Sequence, residues 1–294
     1  MASNSSHLHP DLLLSAHLTV RYGDKPPVLR GVAIDIQRGE VLGLVGQSGS
    51  GKSTLGLSLL GLLDRKRTRV EGSIKFHDSR FPASASQTSD LLQLSERDWR
   101  GLRGRSIALV LQSPLSSLNP ALRIRTQLKE AWRAHAGDRS EDCSVAIRSA
   151  LQSVSLPADE NFQRKYPSQM SVGQAQRVLI AMAILHRPAL LIADEATSAL
   201  DVITQAEILA LFRELNRSFG MSILYISHDL ASVAGICDRI AILHQGEIVE
   251  SGTTAQIFSN PRHEYTQRLM AAIPRIPTQD SVSRSQVVAA SAGL

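Results

Sequence analysis

The sequence predicts an α/β fold: a mainly parallel sheet with helices on both faces, a small antiparallel sheet near the N-terminus and a helical insertion in the middle. Three observations predict it. Short apolar runs (VLGLV at 41–45, SIALVLQ at 106–112, LLIADE at 190–195 and SILYIS at 222–227) alternate with helical stretches, the order that yields parallel strands. Residues 12–45 instead alternate apolar runs with turn residues, as antiparallel strands do. A glycine-rich loop, GQSGSGKST at 46–54, lies between a strand and a helix.

Taken in order, LTVRYGDKPPV and GVAIDIQRGE give the antiparallel sheet, and VLGLV the first buried strand. A helix follows the glycine loop through TLGLSLLGLL at 54–63, and GSIKF at 72–76 is a strand. The polar stretch 77–90 reads as a mobile loop. After SIALVLQ the pattern is helical from 113 to 166, with Pro157 and Pro167 as breaks. A helix opens near residue 170 and runs to about His186. TQAEILALFRELNRSFG is amphipathic, with Ile208, Phe212, Leu215 and Phe219 on one face and Gly220 as its C-terminal cap. RIAILHQGEIVESG reads as a hairpin around Gln245–Gly246, and the Ser/Ala/Val-rich tail beyond Thr278 as loosely ordered.

With 294 residues the chain has room for one large domain or two small ones. Its apolar runs fall short of a bilayer's thickness. The start, MASNSSHLHP, lacks the charged-then-apolar form of a signal peptide. Cys143 and Cys237 lie far apart and form no metal-ligand cluster, so a cytosolic chain with free thiols is expected. A formal charge of +5 suits anionic ligands or an anionic membrane surface without demanding nucleic acid. An aromatic content of 4% leaves little material for base-stacking platforms.

The glycine loop fits G-x-x-x-x-G-K-[ST] in its confirming strand–loop–helix context. Gly46, Gly49 and Gly51 let the backbone wrap a phosphate without a clashing Cβ. The N–H groups from Gly46 through Gln47, Ser48 and Ser50 to Thr54 form the cradle. Lys52 supplies a point charge to the β/γ oxygens, and the Ser53 hydroxyl suits Mg²⁺. Beside such a loop, Asp194 at the end of LLIADE is the expected Mg²⁺ partner, and Glu195 is placed to orient or deprotonate a water. His228 ends the next strand as either a structural histidine or a γ-phosphate contact. Gln112 ends SIALVLQ, where a neutral amide suits Mg²⁺ or water. Tyr22, in an early loop, is either a surface aromatic or a stacking partner for a base. In MSVGQAQRV at 170–178, Ser171 and Gln174 have capping-box spacing, while the helix start also suits an anion.

These pieces, in this order, resemble the nucleotide-binding subunit of an ABC transporter. The phosphate loop, the Q-loop glutamine Gln112, the signature MSVGQ, LLIADE, SALD at 198–201 and the switch histidine His228 carry the resemblance, which spans roughly residues 14–275. It implies a RecA-like P-loop NTPase core with an antiparallel β subdomain at 14–112 and 167–257 and a helical subdomain at 113–166. Residues 1–13 are then a flexible N-terminus, 258–279 a C-terminal extension and 280–294 a disordered tail. It implies ATP and Mg²⁺ as ligands, with Ser171, Gly173, Gln174 and Asp201 added to the nucleotide contacts. Two subunits of this family, the same or different, pair head to tail, the signature of one closing over the ATP of the other. Two transmembrane permease subunits, an extracytoplasmic substrate-binding protein and a peripheral place on the cytoplasmic face of the membrane follow, with no nucleic acid.

QSPLSSLNP at 112–120 and NPRHEYTQRLMAAIP at 260–274 resemble the oligopeptide, dipeptide and nickel importer branch, which implies peptide cargo, or nickel or another small solute. Some members carry an iron–sulfur site after this tail; with no cysteine beyond Cys237, none is expected here. A soluble ABC ATPase is disfavoured by the lack of zinc-ligand cysteines or a second cassette, and a GTPase by the lack of N-K-x-D. Two positions depart from the family pattern: Val172 replaces the first signature glycine, and Ala196 a common proline. Valine, stiff and less free in backbone angle than glycine, is expected to weaken the signature.

Overall fold

A computed structural model of the chain describes residues 11–78, 90–136 and 142–273. Its main sheet holds β3 (Val41–Val45), β5 (Ile107–Val110), β6 (Leu190–Asp194), β7 (Ser222–Ser227), β8 (Arg239–His244) and β9 (Glu247–Thr253). The spatial order is β5-β6-β7-β3-β8-β9. Neighbours are parallel except in the β8–β9 pair, the hairpin predicted around Gln245–Gly246. A second, antiparallel sheet has the order β2-β1-β4, from β1 (Leu12–Tyr22), β2 (Leu29–Gln37) and β4 (Thr68–Phe76).

The parallel strands read as continuous apolar runs because both of their faces are buried. Alternation sorts their side chains into two cores. Val41, Val45, Leu191, Ala193, Ile223 and Tyr225 join the helical side, while Leu42, Leu44, Leu190, Ile192, Leu224 and Ile226 face the antiparallel sheet. On that second side lie α1 (Lys52–Leu59) and α2 (Glu96–Leu102). The helical side holds α4 (Ile124–Arg133), α5 (Cys143–Ser153), α7 (Val172–Ile184) and α8 (Val202–Phe219), with the short helix α3 (Pro114–Ser117) before α4 and the short helix α6 (Glu160–Gln163) between α5 and α7 in the chain. α9 (Leu230–Ala234), α10 (Thr254–Ser259) and α11 (Glu264–Ala271) complete the described chain.

Several boundaries differ from the sequence reading. The first helix stops at Leu59 because Gly61 turns the chain at φ +59°, where a Cβ would lie 2.5 Å from the buried Trp99 ring. β5 stops at Val110, so Gln112 stands two residues beyond the strand it was expected to end. β4 starts at Thr68, four residues earlier than expected. Tyr22 is the last residue of β1 rather than part of a loop. β1 also claims Leu12 and the buried Leu13 from the expected flexible N-terminus of residues 1–13. Residues 1–10 of that stretch, the predicted mobile loop from 79 to 89 and the tail from 274 onward lie outside the described residues. α8 follows its pattern: Asp201 caps its start, Gly220 ends it in a left-handed turn, and Ile208, Phe212 and Leu215 are buried.

Candidate functional site

The site forms at the carboxyl edge of the parallel sheet, where β3 runs into the glycine loop. The loop's first residue is tightly fitted. A Cβ on Gly46 would lie 2.2 Å from the Leu243 carbonyl oxygen, so no larger residue fits against β8 there. Gly49 and Gly51 take φ of +80° and +107°, the region that favours glycine. The loop folds back on Lys52, which is 4% exposed. Its Nζ donates to the carbonyls of Gly46 at 2.9 Å and Gln47 at 3.1 Å. The buried Ser50 Oγ has no partner among the described residues.

β6 delivers the two carboxylates. Asp194 closes the strand, and Glu195 follows in a left-handed backbone at φ +48°, uncommon for a residue with a side chain. The Glu195 N–H donates to the Ile226 carbonyl of β7 at 3.0 Å, which pins the turn. Its carboxylate then meets three side chains. Lys52 Nζ lies 3.7 Å from Oε1, His228 Nδ1 lies 3.3 Å from Oε2, and Gln112 Nε2 donates to Oε2 at 3.3 Å. Gln112 Nε2 also donates to Ser198 Oγ at 2.9 Å. Burial raises the Asp194 carboxyl above its ordinary range; the Ser53 hydroxyl opposes this, the Glu195 charge adds to it, and Lys52 opposes it. Asp194 Oδ1 is buried without a partner among the described residues. Beside the Glu195 carboxylate, such an oxygen suits a cation. At the loop's far end, Tyr22 Oη lies 3.5 Å from Thr54 Oγ1.

The predicted residues therefore fall into two groups. Lys52, Gln112, Glu195 and His228 come together around one carboxylate, with Asp194 and Ser53 beside it. Ser171, Gly173, Gln174 and Asp201 do not join that carboxylate's partners. Ser171 Oγ accepts from the Gln174 N–H at 3.1 Å, and Gln174 Oε1 accepts from the Ser171 N–H at 3.3 Å, so the capping box is formed. A Cβ on Gly173 would lie 2.8 Å from the Thr204 methyl, which seats the start of α7 against α8. Asp201 accepts from the N–H groups of Ile203 and Thr204 and from the Thr204 hydroxyl, which hold its carboxyl below the ordinary range.

Two contacts were not legible beforehand. One is the Ser198 hydroxyl on Gln112. The other is Tyr265 of α11, whose Oη accepts the Gln47 N–H at 3.1 Å. The signal for it lay in the NPRHEYTQRL stretch, because a tyrosine at an apolar position needs a partner for its hydroxyl.

The ABC transporter family profile matches residues 29–198, and one described as the oligopeptide/dipeptide transporter C-terminal region matches residues 249–291. The glutathione import ATP-binding protein GsiA of Salmonella typhimurium is 38% identical over 269 residues, covering 90% of this chain and 42% of that protein. The Escherichia coli protein of the same name is 39% identical over 252 residues, covering 86% and 40%. The chain thus spans about two fifths of the length of these curated relatives. Among solved structures, cbiO1 of Clostridium perfringens, part of the ABC transporter complex cbiONQ, superposes with a TM-score of 0.70 at 26% identity, over 90% of this chain and 97% of that one. The dimeric cassette MJ0796, bound to ADP and Pi in a post-hydrolysis state, gives 0.67 at 25% identity, over 82% and 99%.

Proposed function

The chain belongs to the ABC transporter family, and from that premise we propose that it binds and hydrolyses ATP to drive an importer of peptides or peptide-like solutes. The observation that carries hydrolysis is the setting of Glu195: one carboxylate held among Lys52, Gln112 and His228 beside a phosphate loop. The cargo class is supported by the C-terminal oligopeptide/dipeptide region and by glutathione, a small peptide, in the relatives' name.

The residues present fit a nucleotide and its metal. Ser50 Oγ and Asp194 Oδ1 are buried without partners among the described residues, a cost that a ligand offsets. Ser53, Asp194 and Gln112 would hold Mg²⁺, which neutralises charge on the phosphate oxygens when bound. The loop N–H groups and Lys52 bind the phosphates, and Tyr22 offers its ring to the base. Glu195 accepts a proton from the attacking water, while Gln112 and His228 keep its carboxylate in place.

The signature at the start of α7 serves a second cassette, identical or different, paired head to tail. The apolar exposure of its surroundings supports this: Val172 is 38% exposed, Val202 82% and Ile203 74%. Among the described residues no helix is long and apolar enough to cross a membrane. By the same proposal the chain sits at the cytoplasmic face through two permease subunits, supplied by an extracytoplasmic binding protein, as family membership suggests. Equilibrium binding of a labelled ATP analogue tests the core of this reading. Lys52→Ala is expected to abolish useful binding; undiminished affinity overturns the assignment.

A further inference from the structure

The Gly46–Gln47 peptide unit is hydrogen bonded on both sides. Its carbonyl accepts from Lys52 Nζ at 2.9 Å, and its N–H donates to Tyr265 Oη at 3.1 Å. Tyr265 is 218 residues further along the chain and 6% exposed. Its ring stacks on His244, the last residue of β8, with centroids 3.8 Å apart and planes at 22°. The same strand supplies the Leu243 carbonyl that closes on Gly46. α11 is itself anchored. Glu250 of β9 accepts from the N–H groups of Arg262 at 2.8 Å and His263 at 3.0 Å, and His263 Nδ1 accepts from the Tyr265 N–H at 3.1 Å. A continuous set of contacts thus runs from β9 through Tyr265 to the phosphate loop.

We propose that Tyr265 is a positioning residue for Lys52, acting through the Gly46–Gln47 peptide. A peptide is planar, so fixing its N–H also fixes the carbonyl on the opposite side. Gly46 has no side chain to resist rotation about its own backbone bonds, so Tyr265 adds a restraint on the N–H side that complements the Lys52 bond on the carbonyl side. The two hydrogen bonds polarise one peptide in the same sense, and each strengthens the other. The C-terminal region is then a working part of the nucleotide site. Lys52 is presented to the phosphates only as well as α11 is seated.

This inference rests on the ATPase reading above and deepens it. Tyr265→Phe keeps the ring and its stack on His244 and removes one hydroxyl. In the full chain, equilibrium affinity for a labelled ATP analogue should fall about 3–10-fold, the loss of a single hydrogen bond. In the assembled transporter, KM for ATP should rise by a similar factor with kcat nearly unchanged. Amide exchange should quicken over residues 45–48 while α11 keeps its protection, a pattern that a purely structural role does not give. If the parent binds ATP and the variant binds equally well, the positioning role is wrong and the ATPase reading stands. Quickened exchange throughout α11 also overturns it, because Tyr265 would then only hold the helix. A parent chain that binds no ATP removes both readings together.

Discussion

The phosphate-loop edge and the start of α7 are built on opposite plans. At the loop edge the chain turns inward. Lys52 is 4% exposed and bonded to its own loop, Glu195 meets three side chains, and two buried oxygens lack partners among the described residues. At the start of α7 the chain satisfies itself by its capping box and then faces solvent, with Val172 exposed beside Val202 and Ile203 at the adjoining start of α8. The first arrangement leaves buried polar atoms whose needs a ligand would meet. The second is chemically finished yet leaves apolar surface uncovered. Under the head-to-tail pairing proposed above, these are the two unlike halves that each cassette would contribute.

The largest expected effects break the first half. Glu195→Gln should slow ATP turnover by about 10²–10⁴-fold, the usual cost of losing a general base. ATP should stay bound, because the loop N–H groups and the Lys52 charge remain in place. Asp194→Asn should instead weaken the Mg²⁺ dependence of hydrolysis. Turnover by the assembled transporter, measured with Mg²⁺ titrated, separates the two. A Glu195→Gln complex that hydrolyses at the parent rate would leave Glu195 without its role.

Ser171→Arg attacks the second half. It removes an N-cap, which costs about 0.5–2 kcal/mol, and puts a long side chain where a partner's phosphate would approach. The variant should stay folded and bind ATP through its own loop, yet fail to pair. Size-exclusion with Mg-ATP in a Glu195→Gln background reads this directly. Pairing at the parent level would mean that the helix start is not the contact.

The loop edge was largely legible in the sequence because its chemistry is local. GQSGSGKST and LLIADE are short runs with fixed spacing, and β3 and β6 end where the apolar runs end. What was missed is tertiary. Gln112 reaches Glu195 from beyond the end of β5, and no periodicity says that the chain leaves the sheet at Val110. Gly61 stops α1 because Trp99 lies against it, a contact 38 residues away that no helix propensity contains. Tyr265 reaches the loop from the far end of the chain. The left-handed backbone of Glu195 is set by its neighbours rather than by its own preference.

A cut after Ser259 tests how far the C-terminal region belongs to the loop edge. It removes the buried Tyr265 and the packing of Leu269 and Ile273 against the helical core. Stability should fall by about 2–5 kcal/mol, read by denaturant unfolding. Removing only residues 280–294 should leave ATPase activity at the parent level. A chain cut after Ser259 that assembles and hydrolyses normally would detach this region from the site.

Val172→Gly is the finest probe. The sequence reading expected valine to weaken the signature partly through backbone strain. The structure gives no such strain. Val172 is the first residue of α7 and is absent from the residues with positive φ, so its backbone is one that valine adopts freely. What remains is the side chain, a branched group 38% exposed beside the Ser171 hydroxyl and the Gly173 N–H. Glycine is a poorer helix former than valine by a few tenths of a kcal/mol at most at a first helical position, so the thermal midpoint should drop only slightly. Removing the branch should also let a partner close more tightly. ATP-driven pairing in the Glu195→Gln background should strengthen, and turnover with the parent Glu195 should rise. Because no hydrogen-bond donor is gained or lost, the change should stay well below the roughly 10²–10³-fold effect of deleting one. Unchanged or weaker pairing would show that the valine lies flat against its own helix start and that this departure from the signature is neutral.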